Sequence, residues 1–133
     1  MSIDAVGSNG ARLTTLTLNS TAAAAPPPIS VLGGVFTSGN QTYSGADISL
    51  GASALLNGTG SSTLTVRPET VSRAISIGSP GASAAFAFDL SDAELARISD
   101  GFGAIDFGYA ETGEHTVTVG SLDNSSAPSD STA

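Results

Sequence analysis

The sequence predicts an all-β protein interrupted once by a short α-helix around residues 92–99. Most of the 133 residues fall into short alternations of apolar and polar side chains, the two-residue period of a half-buried strand. That period stops within one stretch, Phe86 to Phe107, and then resumes. The apolar stock is also small, rich in Ala and Val, with five Phe, two Tyr and no Trp, which suits a narrow β interior.

Taken in order, the first clear strand is Leu13 to Leu18, with Leu16 and Leu18 on one face. Residues 22–28 hold alanines and three prolines, and proline excludes both helix interior and central strand, so an extended excursion is expected. Ile29 and Val31 restart a strand that Gly33-Gly34 ends. Residues 35–45 read as strand and turn, with Gly39-Asn40 as a tight corner. Further inward pairs follow at Ile48 and Leu50, Leu55 and Leu56, Leu64 and Val66, and Ile75 and Ile77.

In the interrupting stretch Phe86, Phe88 and Leu90 alternate with polar or small residues as a strand. Ser91-Asp92-Ala93-Glu94 then matches a capping box, in which serine and glutamate satisfy each other's orphan backbone donors. Leu95, Ile98 and Phe102 give the helix an apolar face, and Gly101 offers a left-handed residue just past its end. Ile105 and Phe107, then Val117 and Val119, resume the strand pattern with their side chains expected inward. The expected organisation is a β segment over residues 1–122, carrying the helical insertion at 91–101, and a tail or linker at 123–133 with nothing to bury.

The last inward residues of successive strands are 11 to 19 apart. Two architectures fit such spacing: an antiparallel sandwich, and a ladder of coils in which each turn buries its inward residues on its neighbours. Scarce two-residue hairpin turns and the absence of Lys at any edge weigh against the sandwich, but composition leaves both open.

Charge excludes some functions. Four Arg and no Lys stand against twelve acidic residues, for a formal net charge of -8. Such a surface repels phosphate backbones and anionic lipid, so neither nucleic-acid binding nor membrane insertion is expected. Without Cys there is no disulfide or thiolate chemistry. No ordinary signal peptide opens the sequence, so export would use a signal outside this piece or one of another kind.

No catalytic constellation is legible, and neither an enzyme nor a cofactor or metal is expected. His115 is the single histidine, with no nucleophile-elbow motif beside it. Asp89, Asp92, Glu94, Asp100 and Asp106 crowd around the helix, where the macrodipole accounts for the first-turn carboxylates. Asp100 and Glu111 have the spacing of an EF-hand loop, yet Phe102 and Ala104 occupy two liganding positions. Thr37, Gln41, Thr42 and Tyr43 combine hydroxyls, an amide and an aromatic face. They read either as a carbohydrate-contact patch or as corner residues of a repeated coil, with the corner reading favoured. Asn19, Asn40, Asn57 and Asn124 each match the N-x-Ser/Thr glycosylation pattern, although abundant Ser and Thr produce such matches by chance.

Gly34-Val-Phe-Thr-Ser-Gly-Asn-Gln-Thr-Tyr-Ser-Gly-Ala-Asp-Ile-Ser-Leu-Gly51 resembles the G-V-x-T-x-G-x-Q-T-Y-x-G-x-x-x-L coils of large bacterial adhesins of the filamentous-haemagglutinin type. The stretch from Leu90 through Glu94, Leu95, Ile98, Gly101, Phe102 and Ile105 to Gly108 is similar to another recurrent element of these exoproteins. The resemblance implies a right-handed parallel β-helix, exported through an outer-membrane secretion partner. It further implies a stalk or adhesive role at the bacterial cell surface, against host-cell or matrix surfaces. The family's amino-terminal secretion domain is missing, so the chain is read as an internal segment. Bare coil ends would then let isolated copies stack end to end. A soluble β-sandwich module binding glycan or protein is the alternative.

Overall fold

The computed structural model describes residues 1–21, 28–78 and 88–109, and the backbone of 117–119. Twelve short strands and one helical turn make up these residues: β1 Ser2–Ile3, β2 Leu16–Asn19, β3 Ile29–Val31, β4 Gly34–Phe36, β5 Gln41–Gly45, β6 Ile48–Leu50, β7 Leu55–Asn57, β8 Thr63–Pro68, β9 Ile75–Ile77, β10 Phe88–Leu90, α1 Asp92–Leu95, β11 Ala104–Phe107 and β12 Val117–Val119. The protein is mostly β, as the alternation predicts, and every pairing between these strands is parallel.

Four sheets result, in the orders β1-β3-β6, β11-β8-β5-β2, β4-β7 and β10-β9-β12. The strands pair with partners well separated in sequence: Leu16 lies against Gln41, Gln41 against Leu64, and Leu64 against Ile105. Val6 bridges Val35, Val35 pairs with Leu56, and Leu56 bridges Ile98. An antiparallel sandwich needs neighbouring strands to reverse direction. Among the described residues the one antiparallel bridge is Ser8 to Ala11, a local turn, so the sandwich architecture is overturned.

Alternation decides which side chains enter the core. In β8, Leu64 and Val66 are buried while Thr63, Thr65 and Arg67 are only partly covered. Ile29 and Val31 of β3, Val35 of β4, Ile48 and Leu50 of β6, Ile75 and Ile77 of β9, and Phe88 and Leu90 of β10 join them in one cluster. The corner at Gly39 is tight for a reason the sequence hides. A Cβ there would collide with the backbone carbonyl of Thr14 in the neighbouring turn.

Three expectations about the interrupting stretch need correction. The capping box forms, with the Glu94 N–H donating to Ser91 Oγ and the Ser91 N–H donating to Glu94 Oε2 at 3.0 Å. The helix, however, ends at Leu95 instead of near residue 99. Beyond it Leu56 offers both backbone groups: its N–H donates to Arg97 O and its carbonyl accepts from Ser99 N, each at 2.9 Å. Extending one turn by another adds little stability, and sheet pairing takes Ile98 instead. Gly101 is not among the glycines of positive φ; it is small because a Cβ would strike the carbonyl of Gly58. Ile105, expected inward and buried, is 43% exposed, since among the described strands β11 is the last of its sheet. Phe86 and the expected tail at 123–133 lie outside the described residues.

Candidate functional site

The four residues of the expected surface patch do come together, but inside the protein. Thr37, Gln41 and Tyr43 are fully buried, and only Thr42 is partly exposed, so the surface-contact reading is corrected. Gln41 occupies a ladder position whose neighbours are Leu16 and Leu64. Its Nε2 donates to Asn57 O at 3.0 Å, Thr37 Oγ1 at 3.2 Å and Val35 O at 3.3 Å. Its Oε1 accepts from the Tyr43 hydroxyl at 2.9 Å, and Thr37 Oγ1 donates to Gly39 O at 2.7 Å. Burial pushes the Tyr43 phenol far above its ordinary range, which keeps it a neutral donor to Gln41. Buried polar groups need such partners, and this network ties the corner after β4 to the strands on either side.

Outside that corner lies a second cluster that sequence reasoning missed. Arg12 donates through Nη1 to Thr37 O and Gly58 O, and through Nη2 to Asn9 Oδ1 and Asn57 Oδ1, the last at 2.6 Å. Its guanidinium also lies 5.7 Å from the centre of the Phe36 ring. Asn57 in turn donates through Nδ2 to Ser99 Oγ at 2.9 Å. A glycan on Asn57 would replace a hydrogen on this same Nδ2, beside Ser99. Asn19 and Asn40 are exposed, although Asn40 Oδ1 accepts from Thr63 N, and Asn124 lies outside the described residues.

The carboxylates near the helix do a different job from metal binding. β10 lies beside β6 without a backbone ladder, and carboxylates span the gap. Asp47 Oδ1 accepts from Ile48 N and Asp89 N, while Glu94 Oε1 accepts from Leu50 N at 3.1 Å. Asp89 Oδ1 is buried with no partner. Burial, with smaller contributions from Glu94 and Asp89, raises the Asp47 carboxyl above its ordinary value despite its two backbone donors. Among the described residues no group of His, Cys, Asp or Glu is disposed to hold a metal ion. His115 and Glu111 lie outside the described residues.

One surface depression accompanies the edge of β11 that no described strand pairs with. It encloses about 310 Å³ and is lined by Thr65, Arg67, Ile105, Asp106, Phe107, Gly108 and Tyr109. The Arg67 guanidinium sits 4.9 Å from the centre of the Tyr109 ring, and the Tyr109 hydroxyl donates to Pro68 O. Arg67 forms no ion pair among the described residues, and its Nε is buried without a hydrogen-bond partner. A lone Arg on an outward strand position, just before Pro68, was the available signal in the sequence.

Comparisons with protein-family models, curated proteins and solved structures returned no match.

Proposed function

We propose that the chain is a structural or adhesive segment of a secreted bacterial surface protein, built as a right-handed parallel β-helix and without catalysis. One observation carries this reading. The strands recur in the same order along the chain, and each pairs in parallel with its counterpart: β3, β4 and β5 with β6, β7 and β8. A chain that winds repeatedly over its previous turn produces that pattern. The buried Gln41 network supports it further, since Thr37, Gln41 and Tyr43 belong to the segment that resembles an adhesin coil. In this reading the segment spaces or presents a contact surface toward host cells or matrix, after export through an outer-membrane partner.

Location is the direct test. Antibodies raised against the purified chain should label intact, unpermeabilised cells of the organism that makes it. Signal only after permeabilisation, with recovery in the cytosolic fraction, would overturn the surface assignment. Small-angle scattering tests the architecture separately: a rod-shaped particle fits a coil stack, and a compact ellipsoid does not.

A further inference from the structure

The outer edge of β11, unpaired among the described strands, has the properties of a strand acceptor. The N–H groups of Ala104 and Gly108 point to β8, donating to Ser62 O and Val66 O. Backbone groups alternate sides along a strand, so those of Ile105 and Phe107 point away from β8, where no described strand pairs with them. Unpaired edges of this kind are templates for another chain. The depression beside the edge is lined from both faces of β11, by Ile105 and Phe107 and by Asp106 and Gly108. An occupant therefore lies along the strand's edge and not on one face of it.

The side-chain columns state what that occupant must carry. Over Ile105 and Phe107 it needs apolar residues, continuing the columns of Leu64 and Val66. Asp106 ends a column of hydroxyls, Thr17, Thr42 and Thr65, and would accept a hydrogen bond from Ser or Thr. Next in register Gly108 has no side chain, which leaves the Arg67 guanidinium open to the depression. Arg67 makes no ion pair among the described residues, and a guanidinium so placed beside a groove for a strand calls for a carboxylate.

We propose that the β11 edge binds an extended segment of a partner protein, reading apolar, hydroxyl, apolar, acidic along its length, by adding it to the sheet as a further strand. A second copy of this chain is the poorer occupant. Its β2 edge, Leu16-Thr17-Leu18-Asn19, unpaired among the described strands, presents an amide where Arg67 needs a carboxylate. Among the described strands the stack also closes unevenly: β9 and β12 lie beyond β10, while β11 is the last of its own sheet. The same unevenness works against flat end-to-end stacking of copies. This proposal does not depend on the surface assignment, and either can fail alone.

The test uses the full chain and a fluorescein-labelled octapeptide, Gly-Ser-Val-Thr-Val-Asp-Ser-Gly. Anisotropy should show saturable binding, and amide exchange at Ile105 and Phe107 should slow when the peptide is bound. Replacing the peptide's Asp by Asn should weaken binding about tenfold or more, the usual weight of a charge-assisted hydrogen bond. Arg67→Gln should abolish that difference between the two peptides. A peptide with alternate N-methylated amides should not bind, which tests strand addition on the unaltered protein. Ile105→Pro, which removes an outward N–H and the apolar Ile105 side chain but leaves the inward donors of Ala104 and Gly108, should also abolish binding. Absent binding at millimolar peptide, or equal binding by the N-methylated peptide, would overturn strand addition. Equal affinity for the Asp and Asn peptides would overturn the role of Arg67. Protection of Ile105 and Phe107 that rises with protein concentration alone would assign the edge to a second copy and overturn the partner.

Discussion

Leu64 and Ile105 are neighbours in one ladder, paired in register, yet Leu64 is fully buried and Ile105 is 43% exposed. Their chemistry is nearly the same, and what differs is the second side. β8 lies between β5 and β11, whereas among the described strands β11 has β8 alone. In a parallel sheet an apolar residue is buried by the strands stacked on both sides of it, so alternation marks the inward face but does not guarantee burial.

The contrast is sharpest in stability. Leu64→Ala should destabilise the protein by about 2–5 kcal/mol, since it opens a cavity that the flanking strands hold apart. Ile105→Ala should lose less than about 1 kcal/mol, because water already reaches the side chain. Chemical denaturation of the two variants checks the pair. Similar losses at both positions would show that β11 is covered.

Gln41 extends the comparison to a buried polar member of the same ladder. Gln41→Leu places an aliphatic residue between two leucines and adds apolar area. It should nevertheless destabilise by about 1–3 kcal/mol, as it leaves the Tyr43 hydroxyl without its acceptor and takes a donor from the corner carbonyls. Thr42→Val, one residue away on the outward face, should change stability by less than about 0.5 kcal/mol. A stable Gln41→Leu variant would mean that the network is dispensable.

The local signals legible in the sequence were those that local chemistry decides. Period-two alternation marked β3, β6, β8 and β9, and Ser91 with Glu94 formed the expected capping box. Helix length escaped because it was decided 42 residues away, where Leu56 pairs with Ile98. The burial of Thr37, Gln41 and Tyr43 was half legible: their polarity suggested a surface, while their place at a corner suggested structure. Arg12 was illegible, because its four acceptors come from residues 9, 37, 57 and 58, which only folding assembles. Arg67 and Tyr109 meet for the same reason.

Smaller effects separate the seam between β6 and β10 from the backbone ladders elsewhere. Ser91→Ala should destabilise by about 1 kcal/mol through loss of the cap, read as a lower thermal midpoint. Asp47 supplies a pH signature. Its folded pKa is raised, so the ionised form is penalised in the folded state at pH above that value. The penalty is relieved as pH falls through the folded pKa, and it is absent below the unfolded value. Asp47→Asn keeps an acceptor oxygen for Ile48 and Asp89 while removing the charge. It should therefore raise stability near neutral pH and lose that advantage on acidification toward pH 4. An advantage that grows on acidification would contradict the seam's electrostatics.

The register of the stacked strands is the central claim, and nuclear Overhauser contacts in the labelled chain test it most directly. Cross-strand contacts between α-protons and amide protons should link residues 16 to 41, 41 to 64 and 64 to 105, as parallel neighbours require. Close contacts between α-protons of facing strands, the mark of antiparallel pairs, at β5, β8 or β11 would contradict it.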